Sequence, residues 1–114
     1  MPRFAILEHD YPVRHWDLLL EAGPACRTWR LSAPPRPGQL VLAEAIPDHR
    51  LMYLDYAGPV SGDRGTVQQW DAGHFTWITA TAERITILLH GRHSHVRLTL
   101  RQASSGSQAE VQHW

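Results

Sequence analysis

His9, His15 and Asp17 are the residues whose types and spacing best suit chemistry. His15 and Asp17 stand two apart in an apolar stretch that reads as a strand, so their side chains share one face. Trp16, Leu18 and Leu20 take the other face and supply core. His9 ends the preceding strand, and residues 10–15, turning at Tyr11-Pro12, bring it alongside. Two imidazoles and a carboxylate on one face form a donor set for manganese, iron or zinc, with positions left for water or substrate. The same spacing also describes two surface histidines beside a turn.

Two further groups contain histidine. His49 follows a Pro-Asp turn, with the phenol of Tyr53 four residues on. That pair suits phosphate binding or proton donation, or a plain turn with a hydrogen-bonded histidine. His90, His93 and His95 form the other group. His93 and His95 share a face with Arg97, Thr99 and Arg101, alternating with Val96, Leu98 and Leu100, which reads as a solvated strand face. Residues 96–101 contain no carboxylate to complete a metal set. Trp29, Trp70 and Trp77 are core candidates, and Cys26 has no base placed beside it by sequence. Phosphate-binding and dinucleotide-binding glycine loops are absent, as is the G-x-S-x-G nucleophile elbow.

The elements that must position these residues read as short strands punctuated by Gly, Pro, Asp and Ser. Strands are expected at 4–8, 15–21, 27–31, 39–46, 66–71, 75–79, 84–89 and 95–101. Short helical turns are expected at 43–46 and 80–83, and hairpin turns at 70–74 and 90–93. Residues 34–38 read as a stiff surface loop and 58–65 as a longer turn segment. Residues 102–108 are rich in Ser, Gly and Gln, so 102–114 is expected to be a flexible tail behind a domain spanning 1–101. The pattern predicts a mainly all-β fold: a small closed or nearly closed β-barrel of about eight short strands, closure removing exposed strand edges.

Composition bounds the function classes. With 114 residues, 43% hydrophobic and 19% charged, the chain is one globular domain rather than a disordered segment. A single cysteine excludes a disulfide framework and a multi-cysteine zinc site. No apolar run approaches a membrane span, and the start turns acidic too early for a secretory signal, so a cytoplasmic protein without membrane contact is expected. Eleven basic residues, all arginine, balance eleven acidic ones, which argues against extensive wrapping of DNA.

Three elements in one order narrow the reading: His-x5-His-x-Asp at His9–Asp17, Asp-His-x3-Tyr at Asp48–Tyr53, and Gly-x-Val-x-x-Trp-Asp-x-Gly at Gly65–Gly73. Together with Phe4-Ala5-Ile6-Leu7-Glu8 and Thr28-Trp29-Arg30-Leu31, they give a sequence that resembles the 3′-phosphoesterase domain of bacterial DNA ligase D and its free-standing relatives, over about Arg3 to Arg101. The resemblance implies a small β-barrel that trims 3′ ends at breaks, removing a 3′-phosphate or a terminal ribonucleoside to leave a 3′-OH. It implies Mn²⁺, or another divalent metal such as Zn²⁺ or Co²⁺, on His9, His15 and Asp17. The family's phosphate-pocket histidine, pocket tyrosine and strand carboxylate fall on His49, Tyr53 and Glu21, Glu21 being the acceptor that would orient a ligand histidine. DNA or RNA–DNA 3′ ends are the implied substrates, with a DNA ligase or polymerase as an implied partner.

The sequence also departs from the family. Leu19 stands where the family carries an arginine two residues after the metal aspartate, and Val41 near a second arginine. Pro47 replaces an acidic residue, and Ser32-Ala33-Pro34-Pro35 lacks the family's lysine. Arg14, Arg50 and Arg64, with Arg36, are candidates to replace the lost phosphate contacts. Three functions follow from the resemblance and its departures: a metal-dependent phosphoesterase; a non-catalytic module that keeps the metal site and binds a nucleic-acid end or a repair partner; and a hydrolase of small phosphoesters.

Overall fold

The two apolar runs that open the chain form its most deeply buried hairpin. β1 (Arg3–His9) and β2 (His15–Ala22) pair antiparallel, with His9 opposite His15 and Phe4 opposite Leu20. Phe4–Leu7 and Leu18–Leu20 are buried without interruption, which marks strands covered on both faces. In this computed structural model, which describes residues 1–103 and 106–114, the inner face closes on the barrel and the outer face on a crossover segment.

The remaining strands are β3 (Ala25–Leu31), β4 (Leu40–Arg50), β5 (Gly58–Pro59), β6 (Thr66–Ala80), β7 (Arg84–Gly91), β8 (His95–Ala103) and β9 (Gly106–His113). They follow the order β1-β2-β3-β4-β9-β8-β7-β6-β5, and β6 also pairs with β1. Eight antiparallel strands thereby close into a barrel, with β5 outside it. Inside lie Phe4, Ile6, Leu18, Leu20, Phe75, Ile87, Leu89 and Leu98, among others. Outside, the crossover from β4 to β6 lays Leu54 over Ala5, Leu7, Leu19, Cys26, Val67 and Ala72, making a second, smaller core.

The all-β barrel matches the sequence reading, but several boundaries differ. The helical turns expected at 43–46 and 80–83 do not form: 43–46 lies within β4, and the helical turn of the described residues is a 3₁₀ turn at Leu51–Leu54. The hairpin expected at 70–74 is absent because β6 runs straight through it. A Cβ on Gly73 would overlap the His90 carbonyl, so this glycine serves a close approach of β7, not a turn. The expected flexible tail is replaced over Gly106–His113 by β9, which pairs with β8 along its length and with β4 at Leu40–Leu42. Ala109 and Val111 face the core, enough apolar alternation to hold a strand of otherwise polar composition. Residues 104 and 105 of the expected tail lie outside the described residues. Among the described residues no helix is long and apolar enough to cross a membrane.

Candidate metal centre

The outer face of the first hairpin carries the site. Alternation puts Ala5, Leu7 and His9 of β1 on that face, with His15, Asp17, Leu19 and Glu21 of β2. Register then sets His9 beside His15 and Leu7 beside Asp17. One ligand atom each from His9, His15 and Asp17 lies within 4.8 Å of the others.

Main-chain carbonyls fix which nitrogen each imidazole offers. His15 Nδ1 lies 2.8 Å from the Val13 carbonyl oxygen, which can only accept, so Nδ1 carries the proton and Nε2 presents its lone pair. His9 Nε2 lies 2.8 Å from the Arg64 carbonyl oxygen, which leaves Nδ1 as the free donor atom. Gly65 permits that contact: its φ is 79°, and a Cβ there would collide with Asp10 Oδ1 and the Tyr11 side chain. Asp10 Oδ1 in turn accepts the Thr66 N–H at 2.7 Å, tying the β1–β2 connection to the start of β6.

The cluster is short of hydrogen-bond donors. His15 Nε2 and Asp17 Oδ2 stand 3.3 Å apart, both buried. Among the described residues His15 Nε2 and Asp17 Oδ1 have no hydrogen-bond partner. In the neutral ring that can bind a metal, the Nε2 lone pair faces this carboxylate oxygen, and a cation between them would satisfy both. A buried polar group left unpaired costs about 1–3 kcal/mol. The donor set, the fixed tautomers and the orphaned atoms fit a divalent metal with N/O preference.

The other expected site residues occupy different places. Glu21 lies on the same face as Asp17 but four residues along, about 13 Å at roughly 3.3 Å per residue. Its Oε1 accepts the Arg3 N–H at 2.8 Å. Cys26 pairs with Glu21 on one side and His49 on the other. His49 packs edge-on to Tyr53, ring centroids 5.8 Å apart, and its Nδ1 lies 3.2 Å from the Pro47 carbonyl. Glu21, His49 and Tyr53 therefore gather at one end of the covered face and the metal cluster at the other, with Leu19 between them. Burial pushes the Cys26 thiol up to about 11, with the Glu21 and Asp48 carboxylates adding to the shift, so it is no nucleophile at neutral pH.

The candidate arginines diverge. Arg14 borders an open cleft beside His15. Arg64 turns its guanidinium onto Ser61, with Nε 2.7 Å from the carbonyl oxygen, and gives the site only its own carbonyl. Arg36 stacks over Trp70, and Arg50 pairs with Ala25 at the far end of β4. Val41 points into the barrel core and Leu19 into the smaller core, so neither position of the missing arginines faces solvent. Sequence reasoning missed Arg30, which lies directly across from Asp17 on β3 with Nε 4.0 Å from Asp17 Oδ1. The signal was in the chain: Gly23-Pro24 is a two-residue hairpin turn, and counting outward from it pairs residue 17 with 30.

The Trp-Asp-x-Gly motif turns out to be structural. Asp71 is buried on β6 and accepts the Ala72 N–H at 2.9 Å, the His93 N–H at 3.2 Å and the Ser94 hydroxyl, holding the β7–β8 turn. His90, His93 and His95 lie around that turn, away from the metal cluster, and His90 packs against Trp114 with ring centroids 4.9 Å apart.

Among curated proteins, none matches this sequence. The family model for the DNA ligase D 3′-phosphoesterase domain matches residues 7–102, the stretch that builds the cluster, its crossover and most of the barrel. By that match the chain belongs to the DNA ligase D 3′-phosphoesterase domain family.

Proposed function

We propose that this protein is a metal-dependent phosphoesterase that removes a 3′-phosphate, or a 3′-terminal ribonucleoside, from DNA or RNA–DNA ends during DNA repair. One observation carries the reading: three ligand atoms converge within 4.8 Å, and among the described residues two of their buried polar atoms have no hydrogen-bond partner. A divalent metal held by His9, His15 and Asp17, Mn²⁺ foremost with Zn²⁺ or Co²⁺ as alternatives, supplies Lewis-acid polarisation of a phosphoryl oxygen.

The chain's own residues do the rest. The Val13 and Arg64 carbonyls hold both imidazoles in their ligating tautomers. In 3′-phosphate hydrolysis, water oxygen bonds to phosphorus as the phosphorus–O3′ bond breaks, and O3′ leaves with the electron pair and takes a proton. His49 is half-exposed and stands at the other end of the covered face from the cluster, suited there to hold a phosphate oxygen of a bound strand that runs along the face, and Tyr53 supports it from the side. Glu21 anchors the start of β1 at this end of the face. The product 3′-OH is the form a ligase or polymerase uses, which places such an enzyme next in the pathway.

A second reading, a binding module that keeps the metal, draws support from Leu19: the family's arginine position is an apolar residue buried beneath the crossover. A gel assay separates the two. A 3′-phosphorylated primer–template and one ending in a ribonucleotide are incubated with Mn²⁺. Trimming that disappears in His9→Ala and His49→Ala supports the enzyme. No trimming by a protein that still binds Mn²⁺ calorimetrically supports the module.

A further inference from the structure

We propose that Arg30 is the phosphate-gripping cation of this site, standing in an open cleft that leads the nucleic-acid strand to the metal cluster; the proposal rests on the phosphoesterase reading above. The cleft is bordered by His15, Arg14, Arg30, Val13, Leu42 and Glu44, so it opens directly on a cluster residue. Arg30 is the cation placed at Asp17. Its Nε lies 4.0 Å from Asp17 Oδ1, close enough for charge to hold it but beyond hydrogen-bond reach. Its side chain is 43% exposed and borders the cleft, and its contact with Asp17 is an ion pair without hydrogen-bond distance. A planar guanidinium fork beside the residues that would hold a metal matches a phosphate bound at that cluster.

The walls of the cleft suit a strand rather than a lone phosphate. Val13 and Leu42 are apolar and 75% and 64% exposed, giving the cleft an apolar wall against which a sugar or base can lie. Glu44 pairs with Arg30 across β3–β4 and repels phosphate, which sends the backbone along the Arg14 side. Arg30 thereby replaces from a neighbouring strand the cation that Leu19 does not supply.

The test is fluorescence anisotropy with a short single-stranded DNA ending in 3′-OH, which the reaction cannot consume, titrated in Mn²⁺ at several NaCl concentrations. Each phosphate contact contributes about 0.7 to the slope of log K against log salt for single strands. Arg30→Ala is expected to weaken binding about tenfold and to lower that slope by about 0.7. Arg30→Lys keeps the slope but binds more weakly, because a point charge replaces the fork. Arg97→Ala, on β8, changes neither. Circular dichroism and Mn²⁺ calorimetry confirm that each variant is folded and loaded, and should Arg30→Ala fail to fold, Arg30→Lys against wild type decides. Wild-type binding with Arg30→Ala unchanged, or weakened at an unchanged slope, overturns the role of Arg30 and leaves the phosphoesterase reading standing. No binding by the wild type, with no trimming in the gel assay, overturns that reading and this proposal with it.

Discussion

Asp17 and Asp71 are both buried carboxylates, 4% and 2% exposed, yet their surroundings are opposite. Asp71 is saturated: two backbone N–H groups and the Ser94 hydroxyl donate to it, and Gly91 leaves it room. Asp17 is starved. Among the described residues one oxygen faces His15 Nε2 without a hydrogen bond, and the other has only the Arg30 guanidinium 4.0 Å away. The same residue type under similar burial is a rivet in one wall and a ligand in the other. The difference lies in the donors: Asp71 is held by three hydrogen bonds, whereas Asp17, among the described residues, has a long ion pair and no hydrogen-bond donor, which leaves it free to take a metal.

Breaking each aspartate should therefore produce a different failure. The largest effect expected is on metal binding: Asp17→Asn should reduce Mn²⁺ affinity by more than a hundredfold in calorimetry. It should leave the metal-free melting temperature nearly unchanged, since relief of a buried charge offsets the loss of the long ion pair to Arg30. A melting temperature that falls by many degrees would instead make Asp17 a structural residue. Next in size, Asp71→Ala should destabilise the fold by about 3 kcal/mol in denaturant titration, by stranding its buried donors. Surviving folded protein should still bind Mn²⁺. A loss of metal binding in that folded fraction would erase the contrast.

Adding metal sharpens the comparison. At a hundred times its dissociation constant, Mn²⁺ should stabilise the wild type by about 2.7 kcal/mol, which differential scanning fluorimetry would read as a raised melting temperature. Asp71→Asn should keep this gain and Asp17→Asn should lose it. A smaller effect is expected at Gly65→Ala. Displacing the Arg64 carbonyl releases the His9 tautomer and should weaken metal binding about tenfold, at the low end for residues that orient metal ligands.

The smallest effect lies at the surface. Arg3 hydrogen-bonds Asp55 and holds its carboxyl below the usual range, while Asp55 raises the Arg3 guanidinium. A depressed carboxyl stabilises above its unfolded pKa and loses that contribution as pH falls through the folded value. Asp55→Asn should thus lower stability slightly at pH 7 and not at pH 2, in paired urea titrations. Equal losses at both pH values would assign the effect to packing.

Much of this was legible in the sequence. Alternation in His15-Trp16-Asp17-Leu18 separates ligands from core before any coordinates are known, and the barrel follows from short strands and frequent turns. What escaped depended on contacts between distant segments. Gly73 reads as a turn residue until β7 is known to press against it. β9 hides in polar composition because only Ala109 and Val111 need to be apolar once β4 and β8 flank it. Arg30 became visible as a site residue through register, which residue type alone does not give. Glu21 shares a face with the ligands, as alternation says, but strand rise sets it too far from them to orient either histidine, and carbonyls take that task.

The first hairpin has a consequence for the order of folding. All three candidate ligands lie in β1 and β2, joined by a short connection, whereas the barrel's two seams, β1–β6 and β4–β9, join segments about sixty to seventy residues apart in sequence. Closing a short loop costs far less entropy than closing either seam, and local pairings generally form first. The ligands can thus assemble before the barrel exists. A cation present while the chain folds would act on the nucleus as well as the finished protein, speeding the approach to the native state in addition to slowing the departure from it.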